Sequence, residues 1–330
     1  MTAPAGSGKG SNGGHALAGK ALGYLRGNTL LALWLLLAIF LLIIEIIRPG
    51  TVKPAWITNA ILFAAPLGIM AAGQTLVMLT GGVDLSVATV ASGAAYLLAT
   101  NASLGTPAAM LIGLSLGLLV GLANGIGVSL LRVQPLVMTL GTGLMAGGIM
   151  IVYSQQMLAS QPRVPDFIRT LGSAKIGGVM PYDLLLWAPI GVLMIFGLRG
   201  WGLGRLIYAI GDNREACELA GIRVWRVQLA VYVLCGLFSA LAGFLLVGGT
   251  NASNLQLADS YLLPSVAAVV IGGTSIFGGR GGYSGTIVGA LILTVLTSLL
   301  TLLDTQEPVK QILYGTIILA LAAAYAQMTD

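Results

Sequence analysis

Charge is what this sequence lacks. Only 8% of its 330 residues are Asp, Glu, Lys or Arg, against 57% hydrophobic. Soluble domains carry about 25% charged residues, so a chain this poor in charge cannot cover a water-facing surface. Histidine is nearly absent too: His15 is the single one, in a Gly/Ser-rich leader. Cysteine occurs twice, at Cys217 and Cys235, which gives neither a disulfide framework nor metal-ligand spacing. An intramembrane enzyme needs a nucleophile and base, or a metal cluster. With no histidine in the apolar segments, neither is expected, and no metal site is assigned.

What is present is a succession of long apolar runs, the signature of a polytopic membrane protein. Ten spans are read, near 30–47, 57–79, 84–101, 108–131, 136–158, 183–199, 226–249, 262–278, 284–304 and 308–327. The expected fold class is therefore all-α, polytopic, with about ten transmembrane helices. Residues 84–101 and 262–278 are short and rich in small residues. The leader, residues 1–28, is too polar for a signal peptide and reads as a disordered cytoplasmic tail, ahead of one transmembrane domain over 29–330. Its GSGKGS is not a phosphate-binding loop: no glycine sits five residues before Gly8, and Gly10 follows Lys9 where Ser or Thr is required.

Orientation follows from the cations. With the N-terminus inside, ten lie inside: Lys9, Lys20, Arg26, Arg132, Arg199, Arg205, Arg214, Arg223, Arg226 and Arg280. Six lie outside: Arg48, Lys53, Arg163, Arg169, Lys175 and Lys310. That bias places both termini in the cytoplasm. It also accounts for the net charge of +5 without nucleic acid. The longest outer segment, about 159–182, is either a docking element or a solvated connector.

The 47 glycines admit two readings: helices packed closely in lipid, or spans that unwind at Gly-Gly pairs in a bundle that rearranges. A faint internal echo links PLVMTLGTGLMAGG to PVKQILYGTIILA. Each opens with a proline, Pro135 or Pro308, and reaches a Gly-Thr pair, as in inverted repeats.

Polar residues in so apolar a chain need a reason. Asp84, in MLTGGVDLSVATV, falls at the cytoplasmic junction of spans two and three and suits the N-cap of the third helix; capping leaves room for a part in closing a pathway. Asp259 lies at the opposite face, near Asn251, Asn254 and Gln256, while Gln74, Asn124 and Gln134 lie in or at the ends of spans. Such groups suit a hydroxyl-rich, uncharged solute, or hydrogen bonds between helices. The central segments carry essentially no ionisable residue, which argues against an ion-gradient-driven secondary transporter.

The stretch GDNREACELAGIRVWR, residues 211–226, gathers six charges. Asp212 is expected to cap a short helix with Glu215 at its third position, and Gly221 suits the site just past its C-terminus. Ala216, Leu219 and Ala220 form a small apolar face. The helix is too short to stand alone, and reads either as a handle for a soluble partner or as a solvated loop helix.

YAIGDNREACELAGI (208–222) resembles the cytoplasmic coupling motif of permease subunits in ribose-, xylose- and arabinose-type ABC importers. GQTLVMLTGGVDLSV (73–87), VQPLVMTLGT (133–142) and AAVVIGGTSIFGGRGGYSGTIVGALI (267–292) match further signatures of that family, in its order. The resemblance implies a ten-span fold of the cobalamin-importer type (type II) with inverted repeats. It also implies a second permease copy or homologue, cytoplasmic ATPase subunits that use ATP and Mg, and a periplasmic binding protein that delivers a sugar-like solute across the bacterial inner membrane. This chain itself would bind no cofactor and, having no Gly-x4-Gly-Lys-Ser/Thr, would not be an enzyme. Carried over, 212–221 would be the coupling helix, with Asp212, Asn213, Arg214, Glu215, Glu218, Leu219 and Gly221 meeting the ATPase. Gly81, Gly82, Asp84 and Ser86 would form the cytoplasmic gate with Gly272, Gly273 and Thr274. Gln74, Asn124, Gln134, Asn254 and Asp259 are assigned to the solute path. Three departures from the family pattern stand out: Asp212 where Gly is frequent, Leu262–Leu263–Pro264–Ser265 where Glu-Leu-Asp-Ala is common, and Ala88 where Gly is usual. No motif names the solute, and a nucleoside or signalling molecule stays open beside a sugar.

Overall fold

The computed structural model describes residues 29–156 and 162–327. The leader, with His15 and GSGKGS, lies outside the described residues. Among those described are thirteen helices: α1 (Thr29–Ile47), α2 (Pro54–Leu79), α3 (Val87–Thr100), α4 (Thr106–Ser129), α5 (Pro135–Gln156), α6 (Asp166–Ser173), α7 (Leu184–Gly200), α8 (Gly202–Asp212), α9 (Arg214–Leu219), α10 (Val224–Thr250), α11 (Leu262–Ile271), α12 (Tyr283–Leu302) and α13 (Glu307–Gln327). A small antiparallel hairpin, β1 (Lys175–Ile176) with β2 (Met180–Pro181), is the one pair of strands among them.

The chain is an all-α polytopic membrane protein. Six helices, α1, α2, α4, α5, α10 and α12, are long and apolar enough to cross a bilayer; α7 and α8, bent by 68° at Trp201, make a seventh if taken together. The expected span over 84–101 is one helix, shortened to Val87–Thr100, whereas that over 262–278 stops at Ile271. Helix α3 has 14 residues and α11 has 10. At 1.5 Å per residue they rise about 21 and 15 Å, short of the ~30 Å hydrocarbon core. The Gly-Gly pairs are the reason. Gly81 and Gly273 adopt φ of +78° and +88°, which stops α2 just before one pair and α11 at the other.

Helix α10 forms the axis, packed against α2, α3, α4 and α6. Its closest partner is α4, whose glycines recur every fourth residue at 113, 117, 121 and 125. A Cβ on Gly121 would stand 2.6 Å from the Tyr232 carbonyl, and one on Gly117 would run into the Gly236 carbonyl. This stripe lets two backbones touch, as small-residue stripes do in membranes. Close packing therefore explains these glycines, whereas Gly147–Gly148 and Gly248–Gly249 sit within unbroken helices. Helix α1 lies at the periphery on α12. The segment after α5 is more than a connector: α6 docks on the end of α10, with Ile168 fully buried and Gly172 against the Leu245 carbonyl and Gly249 nitrogen.

Candidate functional site

Three glycine-rich segments far apart in sequence meet at one end of the bundle. Beyond Leu79 runs the elbow 80–86; beyond Ile271 runs the loop 272–282; and α8 ends at Gly211–Asp212. Gly279 donates its N–H to the Leu79 carbonyl at 3.1 Å. A Cβ on Gly211 would collide with that same carbonyl and with Gly279 N, and one on Gly278 would stand 3.0 Å from Gly81 N. Backbone thus rests directly on backbone. Beside it, Thr274 Oγ1 accepts the Gly282 N–H at 3.3 Å, and Tyr208 Oη donates to the Gly281 carbonyl at 2.9 Å. The structure therefore joins three motifs that the sequence kept separate: Gly81–Gly82, Gly272–Gly273–Thr274 and the end of α8.

The elbow folds back into the bundle rather than lying at its rim. Asp84 is 1% exposed and does not cap α3, which begins three residues later at Val87. Its Oδ1 accepts from Ser86 N at 2.8 Å and Ser86 Oγ at 2.6 Å. Asn124 Nδ2 donates to Ser86 Oγ at 3.0 Å and reaches Asp84 Oδ2 at 3.5 Å. Gln74 holds the backbone of Asp84: Nε2 donates to its carbonyl, and Oε1 accepts its N–H at 3.2 Å. Thr139 Oγ1 accepts the Leu85 N–H and donates to the Val83 carbonyl, and Thr142 donates to Asn124 Oδ1. No ion pair to Asp84 is formed among the described residues. The expectation of no ionisable group among the spans is thus corrected: the Gly81–Gly82 break carries a carboxyl inward. Gln74 and Asn124, assigned to the solute path, are here fully buried and serve this elbow.

Helix α9 stands outside the bundle. The expected cap, Asp212, ends α8 instead; the cap is Asn213, whose extended backbone (φ −154°, ψ 98°) lets Oδ1 accept the Ala216 N–H at 2.9 Å. Glu215 consequently falls at the second position, and no capping box with Asp212 forms. Gly221 takes φ +78° just past the helix, as expected. Cys217 is buried and anchors α9, Arg214 pairs with Glu218 at 3.1 Å, and Arg132 at the end of α4 reaches Glu218 at 3.9 Å. Ala216 and Ala220 are exposed, and Leu219 is 85% exposed.

The other end is open. A cleft of about 860 Å³ lies between the starts of α2, α11 and α13 and the end of α12. Most of its surface is apolar; its polar groups are Arg48, Glu307 and a set of hydroxyls, among them Ser260, Tyr261, Thr294, Thr297, Ser298 and Thr301, the last four donating to backbone carbonyls of α12. Sequence reasoning missed these groups, although TVLTSLLT (294–301) places Thr294, Thr297, Ser298 and Thr301 within reach of one helical stripe. Asn254 and Asp259 are exposed outside the cleft lining, with Asn254 Oδ1 accepting the Gln256 N–H. Gln134 is exposed ahead of α5. The echo is structural only in part: Pro135 and Pro308 both open helices, but Thr142 faces Asn124 while Thr316 is exposed.

Six long apolar helices, one bent pair and two shorter apolar helices define a polytopic helical membrane protein. The model of the family described as "Branched-chain amino acid transport system / permease component" matches residues 56–322, and the chain belongs to that family. The ribose import permease protein of Bacillus subtilis is 33% identical over 285 residues, 86% of this chain and 88% of its own length. The fructose import permease protein of Rhizobium meliloti is 33% identical over 269 residues, 78% of this chain and 74% of its own. A probable ABC transporter permease protein of Sinorhizobium fredii is 36% identical over 266 residues, 78% of each chain. No solved structure matches.

Proposed function

We propose that this chain is the membrane-spanning subunit of an ATP-driven ABC importer and that its solute is a sugar or related polar molecule. The similarity to ribose and fructose import permeases supports the solute class. The remaining parts follow from the same reading. ATP and Mg act in cytoplasmic ATPase subunits. A second permease copy or homologue completes the core, a periplasmic binding protein delivers solute at the cleft end, and α9 lies on the cytoplasmic side with both termini. The six long apolar helices, the bent pair, the two short ones and α13 are read together as a ten-span type II permease fold.

The observation that carries this reading is α9 and what it touches. A pull on its exposed face passes through Gly211 to the elbow at Leu79–Asp84 and to the loop at Gly278–Gly279 together. The same pull reaches α4 through Arg132 and Glu218. Because the contacts at Gly211 are backbone to backbone, the segments move as a unit or separate. ATPase closure would therefore open or seal the broken end while the cleft end takes the opposite state.

The test is co-purification with the candidate ATPase. Leu219→Asp combined with Glu215→Arg alters only exposed side chains, so the fold should stand. We expect the parent to retain the ATPase and the variant to lose it at unchanged Tm. Equal retention would remove α9 as the decisive contact; failure of the parent to bind any ATPase would return the ion-driven reading.

A further inference from the structure

One face of α10 carries polar atoms that the fold leaves unserved. Gln228 Oε1 and Tyr232 Oη are buried with no hydrogen-bond partner among the described residues, as is Ser129 Oγ at the end of α4. Gln228 and Tyr232 are one helical turn apart, and Cys235 follows on the same side. Ser129 and Gln228 lie near the α9 end of the α4–α10 seam, where Gly125 meets Leu229 and Gly121 meets Tyr232. The Tyr232 hydroxyl abuts Gly82: a Cβ there would stand 2.6 Å from it. Beyond it is Asp84. The orphan atoms thus lie on the stretch of the bundle between the α9 end and a buried carboxyl.

Orphan buried polar atoms are met by ordered water, commonly with about three hydrogen bonds each. A carboxyl buried without a cation sheds its charge by taking a proton. The groups around Asp84 are Ser86 from the elbow, Gln74 from α2, Asn124 from α4, and Tyr232 and Cys235 from α10. Only the last two titrate, ordinarily above neutral pH, and none is cationic. Asp84 Oδ1 is served by Ser86, whereas Oδ2 has a 3.5 Å contact to Asn124, and the Cys235 thiol also lies against the carboxyl. Oδ2 is the atom free to carry a proton.

We propose that Asp84 is a proton-binding site, neutral in the arrangement seen here and reached from the α9 end by a water file along Ser129, Gln228 and Tyr232. Proton uptake converts the carboxylate to the acid at Oδ2, and release returns the proton along the file. Displacement of the elbow would wet Asp84 and favour release, so cytoplasmic alkalinity would favour the displaced state. That last step rests on the importer reading; the protonation does not.

Infrared difference spectroscopy of the purified permease tests the site without any transport assay. At neutral pH the parent should show a protonated-carboxyl carbonyl band that Asp84→Asn removes and that shifts promptly in D2O. Asp84→Glu, which keeps a carboxyl should the Asn variant misfold, should move the band rather than abolish it. Ionised-carboxylate bands in the parent-minus-variant spectrum would overturn the proposal, as would a band unmoved by Asp84→Glu. Slow exchange in D2O, unaltered by Tyr232→Phe, would overturn the water file.

Discussion

The two ends of this molecule are closed by different chemistry. At the α9 end, Gly211, Gly278 and Gly81 press main chain onto main chain, with Gly279 bonded to the Leu79 carbonyl. At the other end, side-chain hydroxyls and aromatic rings line an open cleft. Backbone contact cannot be tuned by a rotamer change, so the first end has few stable arrangements. Side chains can re-pose around a guest, so the second can accept a solute and let it go. On the importer reading proposed above, both ends would change state, one through main-chain contacts and the other through side chains.

The largest effect should come from filling the switching end. Gly211→Ala places a methyl group on the Leu79 carbonyl and Gly279 N, and overpacking of this kind costs about 1–3 kcal/mol. Uptake in cells should be abolished and the Tm lowered. Gly148→Ala on α5 meets nothing within 4 Å; it should leave uptake intact and hold or raise stability by about 0.5–1 kcal/mol. Equal effects of the two would dissolve the contrast.

Next comes pH at the opposite end. Asp183, just ahead of α7, is 1% exposed with neither carboxylate oxygen hydrogen-bonded, and burial pushes it up from 3.8 to about 7. The unfolded chain ionises near the lower value, so the folded state is favoured most below it. Stability should fall as pH rises from about 4 to about 7 and level off above. Thermal unfolding across that range should show the parent losing Tm relative to Asp183→Asn; parallel curves would refute the assignment.

A smaller effect is expected within the cleft. Ser298→Ala removes a lining hydroxyl, and one hydrogen bond is worth about 0.5–1.5 kcal/mol. The KM for sugar uptake should rise by no more than about tenfold, with Tm unchanged. The smallest effect belongs to the α9 cap. Asn213→Ala should cost about 1 kcal/mol locally, seen as faster amide exchange over 214–219 with little change in global unfolding.

Much of this was legible in sequence because apolar length and glycine placement are local signals. The long helices, the gap between spans at Gly81–Gly82 and the left-handed Gly221 follow from them, whereas the expected span 262–278 runs through Gly272–Gly273, where α11 ends. The depth of Asp84 was not legible: a Gly-Gly-x-Asp string reads equally as a cap, and only packing against Gln74 and Asn124 decides. The capping residue slipped by one because Asp212 and Asn213 are both good caps, and α8, amphipathic with Ile207 and Ile210 buried, extends to Asp212. The meeting of Gly211 with Gly278 rests on contacts between residues far apart in the chain, which no periodicity reports.

The glycine stripe of α4 also sets an order of assembly. Its partner surface on α10 begins roughly 95 residues after α4 ends. At about 5–20 residues per second of synthesis, α4 waits some 5–20 s with its flattest face uncovered. Until α10 arrives, that face is open to any small-residue helix in the membrane, so the vulnerable moment in this protein's biogenesis lies between its fourth and tenth helices.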